Sequence, residues 1–326
     1  MDRRTFVRVA VGGALATAGI AGAQTGATVR RIGILRSGAP DSPEAVRQIA
    51  DVLRKFGWVE GQNLVVERRF ADGRPERLRS LADELVRLKV ELIVTTGTAA
   101  TLAAKSATST IPIVFWSAGD PVGSGLVASL ARPGGNVTGF SIAATEMNVK
   151  RLAVLRECLP AAQRFAILEN AANPSHRGVR REVEQACRAL GIQPLFVEVA
   201  GAGNLTKAVA EAVRLRGQGL LVSTDSLFYD NRGELMHAAL ARALPVTTSR
   251  IYIRETGALV SYDPLEAEED ERAASFVDRI LRGAKPAELP VEQPTKFELM
   301  INLKTAKALR IAVPPPLLAR AQDVIE

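Results

Sequence analysis

Short apolar runs of strand length alternate along this chain with segments whose apolar residues recur every three or four positions. Residues 31–35 form the first such run and lead into the polar turn 37–43. Val46, Ile49, Ala50, Leu53 and Phe56 then predict a helix that stops at Gly57. Residues 64–70 predict a second strand, and Leu78, Leu81, Ala82, Leu85, Val86 and Leu88 a second helix. The stretch 90–121 repeats the motif most clearly. It has an apolar run at 90–94, Thr95-Thr96-Gly97-Thr98, an alanine-rich helix to Ala107 and a strand at 111–116. It closes with Ser117-Ala118-Gly119-Asp120-Pro121. Threonine at the helix start can cap it, and glycine lets the backbone turn. A strand at 136–142 ends this half.

The rhythm restarts after Glu146, with a helix at 147–159, a strand at 165–168, a loop at 170–175 and a helix at 176–190. A strand at 195–199, a helix at 205–215 and a strand at 219–223 follow, the last ending in Thr224-Asp225-Ser226. Leu235, Ala238, Ala239 and Leu240 mark a further helix, and 246–248 a strand. Strands alternating with helices predict βαβ units and a parallel sheet in each half. Pro286, Pro290 and Pro294 lie in a surface connection or crossover, and Pro314-Pro315-Pro316 makes a stiff turn before the last helix.

A chain of 326 residues, 47% hydrophobic and 24% charged, has the composition of a globular protein of about two domains. Residues 1–23 stand apart. Arg3-Arg4 opens a basic start, residues 9–23 are mildly apolar and rich in Gly and Ala, and Ala21-Gly22-Ala23 precedes Gln24. That order favours a cleaved signal of the twin-arginine type over a basic tail or a membrane anchor. Loss of Arg3, Arg4, Arg8 and Asp2 lowers the net charge from +7 to +5. No basic cluster with interleaved aromatics follows, which argues against nucleic acid as a partner. No second apolar stretch reaches membrane-spanning length, and no cysteine follows the cleavage site. The expectation is a free, soluble periplasmic monomer. Cys158 and Cys187 can pair in such a compartment, although buried free thiols are favoured.

No phosphate loop, dinucleotide fingerprint or nucleophile elbow occurs. His176 and His237 each sit alone on a predicted helix, where surface or capping roles outweigh metal ligation. The acidic run from Glu266 to Glu271 lacks calcium-loop spacing and suits the solvated start of a helix. No catalytic group, metal or cofactor is indicated. What remains is a set of small polar residues at predicted strand ends: Ser37, Thr96, Gly97, Thr98, Asp120, Asn170, Asp225 and Tyr262. In open α/β sheets, ligands sit at that edge, and a helix N-terminus there favours an anion. The set predicts a cleft holding a ligand carboxylate at Thr96, Thr98 and the following helix, with Asp225 taking an ammonium group. Trp116 or Tyr262 would pack on the ligand, with a core role favoured for Trp116.

Gly57-Trp58-Val59-Glu60-Gly61-Gln62-Asn63, Gly119-Asp120-Pro121-Val122-Gly123-Ser124-Gly125-Leu126, the segment 131–139, Asn173-Pro174 and the segment 294–302 together carry a resemblance. They resemble the ABC-transporter substrate-binding proteins related to tryptophan/tyrosine-binding periplasmic lipoproteins. The resemblance implies an α/β type I periplasmic-binding-protein fold, with two Rossmann-like lobes of parallel sheet joined by crossovers. It implies lobe one at 30–145 plus about 266–290, and lobe two at 146–265 plus about 291–326. It also implies a small-molecule ligand delivered to an ABC permease and its ATPase, with an aromatic amino acid as one candidate. A sensory binding protein without transport and an exported enzyme of doubly wound fold are the alternatives. Sequencing the mature N-terminus is expected to give Gln24, and an intact Met1 on the exported protein would overturn cleavage.

Overall fold

The computed structural model describes residues 29–40 and 43–326, so the export signal expected at 1–23 lies outside the described residues. The first half runs β1 (Arg30–Arg36), α1 (Pro43–Lys55), β2 (Leu64–Phe70), α2 (Leu78–Arg87), β3 (Leu92–Thr96), α3 (Thr98–Ala107), β4 (Ile113–Ala118) and β5 (Val137–Ser141). The second begins α4 (Ala144–Cys158), β6 (Arg164–Asn170), α5 (Pro174–Ala189), β7 (Gln193–Val199), α6 (Leu205–Arg214) and β8 (Gly219–Val222). It continues α7 (Ser226–Asp230), α8 (Arg232–Leu240), β9 (Val246–Thr248), α9 (Arg250–Thr256) and β10 (Val260–Pro264). Last come α10 (Glu266–Leu281), β11 (Phe297–Asn302), α11 (Leu303–Ala308), α12 (Pro315–Leu318) and β12 (Asp323–Ile325).

Two sheets result, in the orders β2-β1-β3-β4-β5 and β12-β11-β10-β9-β8-β6-β7. The first is wholly parallel, and the second is parallel except between β10 and β11. Central strands such as β3 and β8 are buried along nearly all of their length because helices cover both faces of a parallel sheet. Each sheet reverses direction once, between β1 and β3 in the first and between β6 and β8 in the second. Those reversals are the topological switch points, where a crevice opens beyond the carboxyl ends of the strands.

Helix α10 follows a strand of the second sheet yet packs on the first. Its Ala273, Phe276, Val277 and Ile280 share a core with Ile32, Leu92, Val94 and Val114. Both tryptophans fasten it, Trp58 Nε1 donating to Asp278 at 2.9 Å and Trp116 Nε1 to Asp270 at 3.0 Å. An indole N–H in a core needs such an acceptor, and Trp116 is a core residue as expected. The chain therefore crosses between lobes after β5, after β10 and after Glu292. These crossings are tied together, since Ser141 N–H donates to Glu292 O and Leu265 N–H to Lys296 O. Glu268 accepts from Thr295 Oγ1 at 2.6 Å and Lys296 N–H at 3.0 Å, so this member of the acidic run braces a crossover rather than facing solvent.

Three further differences from the sequence-based expectation have local causes. Helix α3 is capped by Gly97 at φ 83°, without a side-chain cap, instead of by threonine. The sequence pattern gives no range for the strands β11 and β12, and for β10 only the strand end placed at Tyr262, because three- to six-residue strands give little alternation. His176 is buried, neither surface nor cap. Cys158 and Cys187 are free and buried in one core.

Where β5 bends beside β4, Gly139 has φ 147°, and a Cβ there would collide with the Phe115 carbonyl and come within 2.8 Å of its nitrogen. Gly139→Ala is expected to cost about 3 kcal/mol or more in urea unfolding. An unchanged midpoint would mean that the strands separate there freely.

Candidate functional site

At the first switch point the strand ends are fixed mainly by backbone. Ala71, Gly73 and Asp72 N–H groups donate to the carbonyls of Arg36, Ser37 and Gly38 at 3.0, 2.9 and 3.2 Å. Gly97 N–H donates to Ser117 O at 2.8 Å. The Thr95 and Thr101 hydroxyls pair at 2.8 Å, and Thr101 also donates to Gly97 O, riveting β3 to the first turn of α3. Glycine offers no side chain to cap α3, which leaves its leading N–H groups to an outside acceptor. Thr98 is buried, its hydroxyl oxygen accepting Gly119 N–H at 3.4 Å.

The second switch point is built from side chains. Asp225 caps α7 by accepting Leu227 N–H at 2.8 Å, and the same oxygen accepts Asn170 Nδ2 at 3.0 Å. Its other oxygen accepts Asn173 Nδ2 at 2.6 Å. Asn173 meanwhile caps α5 through Ser175 N–H. The Asp225 side chain is only 6% exposed, and the nearest basic group is His176 Nε2 at 3.9 Å, too far for a hydrogen bond. His176 Nδ1 accepts Asn170 N–H at 2.9 Å, which places the neutral ring's proton on Nε2, toward Asp225. Burial lowers the pKa of His176, outweighing the raising effect of Asp225.

Beneath this cluster, Arg151 of α4 spans two strand ends. It donates to Asp263 at 2.5 Å, to Thr224 Oγ1 at 2.8 Å and to Tyr262 O at 3.1 Å. Sequence reasoning missed it. The signal was an arginine in the apolar spacing of Met147 and Leu155. His176 and Asn173 were also missed as partners of Asp225.

The eight residues selected from sequence divide by role. Ser37, Thr96, Gly97 and Thr98 lie at the carboxyl ends of β1 and β3, Asn170 ends β6, and Asp225 lies just after β8. A Cβ on Gly97 would lie 3.6 Å from Ser226 Oγ, the residue after Asp225. Asp120 instead shapes its own turn by accepting Gly123 N–H at 2.8 Å. Tyr262, expected at a strand end, instead lies in the middle of β10, two strands from the switch point, and stacks on Phe297 with ring centroids 5.6 Å apart. Where α9 and β11 meet α1 and α10, a groove of about 420 Å³ carries Lys55, Arg250 and Arg254 against Asp270, Glu271 and Glu298. None of the eight residues lines it. No group of three His, Cys, Asp or Glu that could hold a metal occurs among the described residues.

Residues 34–325 match the family described as ABC transporter substrate binding protein. The chain belongs to this family. The substrate-binding protein is 25% identical over 275 residues to the tyrosine-binding protein of Clostridioides difficile (strain R20291), spanning 83% of this chain and 77% of that relative. Its fold matches an ABC domain in complex with L-Trp from Streptococcus pneumoniae, at 22% identity and TM-score 0.84, over 91% of this chain and all of the other. A conserved domain protein from Vibrio cholerae O1 biovar eltor is similar too, at 25% identity and TM-score 0.85, with the same coverage. Two parallel-sheet lobes of the type I periplasmic-binding fold are therefore the frame of a binding cleft, in a family of solute-binding proteins rather than enzymes. Such proteins act outside the cytoplasm with ABC transporter components. Among the described residues no helix is long and apolar enough to cross a membrane.

The buried imidazole gives a pH signature. The unfolded chain takes up the His176 proton near pH 6.5 and the native substrate-binding protein only below that, so stability falls as pH drops below about 6.5. Glu169 acts oppositely: burial pushes its carboxyl up to about 7 against the pull of Arg180, so it costs stability as pH rises from 4.5 toward 7. Comparing variants cancels Glu169. Between pH 7.5 and 5.0, His176→Gln is expected to lose less urea stability than the parent. Equal losses would refute the assignment.

Proposed function

We propose that this protein is the extracytoplasmic receptor of an ABC importer, binding a small amino acid-like ligand between its lobes. One observation carries the reading. Asp225 is a buried carboxylate held by three neutral donors, with no cation at hydrogen-bond distance. It stands across the cleft from the uncapped N-terminus of α3. A zwitterion satisfies both ends: its carboxylate accepts from the α3 N–H groups and Thr96, and its ammonium donates to Asp225. Removing two charges from water is costly unless each is bonded, so the arrangement selects zwitterions over neutral analogues. Tyr262, half-buried against Phe297, offers an apolar face to the ligand's side chain. The tyrosine-binding relative and the L-Trp complex of the structural neighbour favour an aromatic amino acid.

Binding draws the lobes together by bending at the three crossings, and the closed monomer presents the ligand to a permease coupled to an ATPase. No nucleic acid enters this scheme. Neighbouring genes for a permease and an ATPase separate import from ligand sensing without transport. Calorimetry with L-tyrosine and L-tryptophan tests the ligand. Asp225→Asn is expected to weaken binding by about 2–5 kcal/mol, the range for truncating one member of a buried charge pair. Unchanged affinity, or equal binding of an aromatic acid lacking the amine, would sink the amino acid assignment while leaving the receptor fold.

A further inference from the structure

Along the seam between the lobes, the first lobe contributes glycines. A Cβ on Gly38 would overlap both carboxylate oxygens of Asp230. On Gly119 it would lie 3.3 Å from Ser175 Oγ and 3.2 Å from Ala144 Cβ. With Gly97 against Ser226, these positions follow β1, β4 and β3, three neighbouring strands, and so form a line along one sheet edge. The opposing side chains come from the first turn of α5 and the two ends of α7.

None of the glycines can retreat. Gly38 O accepts Asp72 N–H, Gly97 N–H donates to Ser117 O, and Gly119 uses its N–H on Thr98 Oγ1 and its carbonyl on Ala144 N–H. Close approaches elsewhere stay within one lobe, as at Gly33, Gly139 and Gly219, whereas Gly57, Gly203, Gly233 and Gly283 have nothing within 4 Å of a Cβ position. Gly38 has no positive φ, so only Asp230 makes a side chain costly there, whereas a Cβ on Gly119 meets nothing nearer than 3.2 Å.

We propose that Gly38 is a specificity-determining position that sets how closely the lobes approach, and hence how thick a ligand the closed cleft accepts. This deepens the reading of the cleft as the binding site and rests on it. Carbon atoms settle about 3.5–4.0 Å apart, so a methyl on Gly38 must displace either the Asp230 side chain or the second lobe. The cleft then closes less far, around a bulkier ligand or none.

The test needs no ligand. A Cβ on Gly119 lies 3.6 Å from Ser175 Cβ, within the span of about 3.5–4.5 Å that a disulfide bridges. Gly119→Cys/Ser175→Cys is therefore expected to cross-link across the seam under oxidised dithiothreitol, with the loss of two thiols. Burial pushes the Cys158 and Cys187 thiols to about 12 and about 11, which keeps them out of the exchange. Adding Gly38→Ala should slow cross-linking by about fivefold or more. Adding Asp230→Ala to that variant should restore the rate, and Gly233→Ala should leave it unchanged. Matching thermal midpoints show that each variant is folded. No cross-link in the double-cysteine parent, or a parental rate with Gly38→Ala, overturns the proposal. Failure to bind L-tyrosine or L-tryptophan would count against the ligand assignment alone, because cross-linking reports closure without either.

Discussion

Everything at the second switch point depends on how the second lobe treats two buried carboxylates, one after β8 and one near the end of β10. Asp263 is neutralised by a guanidinium, while Asp225 receives only amide donors. A buried charge is tolerated when it is paired or well hydrogen-bonded, and these are the two solutions. The first is complete within the fold. It ties the ends of β8 and β10 to α4 and leaves Arg151 no charge to offer a ligand. The second is stable but electrically open. Asn170, Asn173 and the α7 amide orient the carboxylate without cancelling it, and burial keeps His176 neutral beside it. The unspent charge is available to a cation that arrives with the other lobe.

That division requires each lobe to move as one body. Helix α10 supplies much of the rigidity of the first lobe, because its apolar side fills the sheet and both indoles reach its carboxylates. The three crossings bond to one another through Ser141, Glu292, Leu265 and Lys296, so a bend at one is shared by all. In the proposed closure, rotation would thereby be confined to a common hinge. The residues that meet at the seam then arrive in the same register at each closure, which a ligand bound by both lobes needs.

The architecture was largely legible because a parallel strand covered on both faces is a plain apolar run, as in β3, β4 and β8. Thr96, Gly97, Asn170 and Asp225 were legible by the same logic, since polar residues after such runs fall at the carboxyl edge. That rule cannot distinguish a ligand contact from a turn former, and Asp120 is the latter. Nor does it give strand order, which leaves Tyr262 two strands away from the reversal. Arg151 and His176 were not found because their roles depend on partners 112 and 49 residues distant in sequence. Gly38 carried no sequence signal, because a glycine needed for close approach looks like any turn glycine.

The two lobes use different chemistry at the seam. The first presents N–H groups of α3 and bare Cα atoms, while the second presents carboxylate, amide, hydroxyl and imidazole side chains. Backbone donors are kept by every substitution except proline, so on the proposed reading the first lobe would hold the part that related ligands share, a carboxylate. Side chains can be exchanged singly, although Asp225 is bonded to two other residues whose loss would disorder it. Discrimination among ligand side chains must therefore come from positions outside that bonded cluster, at the β9 and β10 ends and in the spacing that Gly38 permits. On the proposed reading, a carboxylate anchor made of backbone, an ammonium anchor made of interlocked side chains and a gap set by Gly38 would divide recognition into two invariant contacts and one tunable dimension.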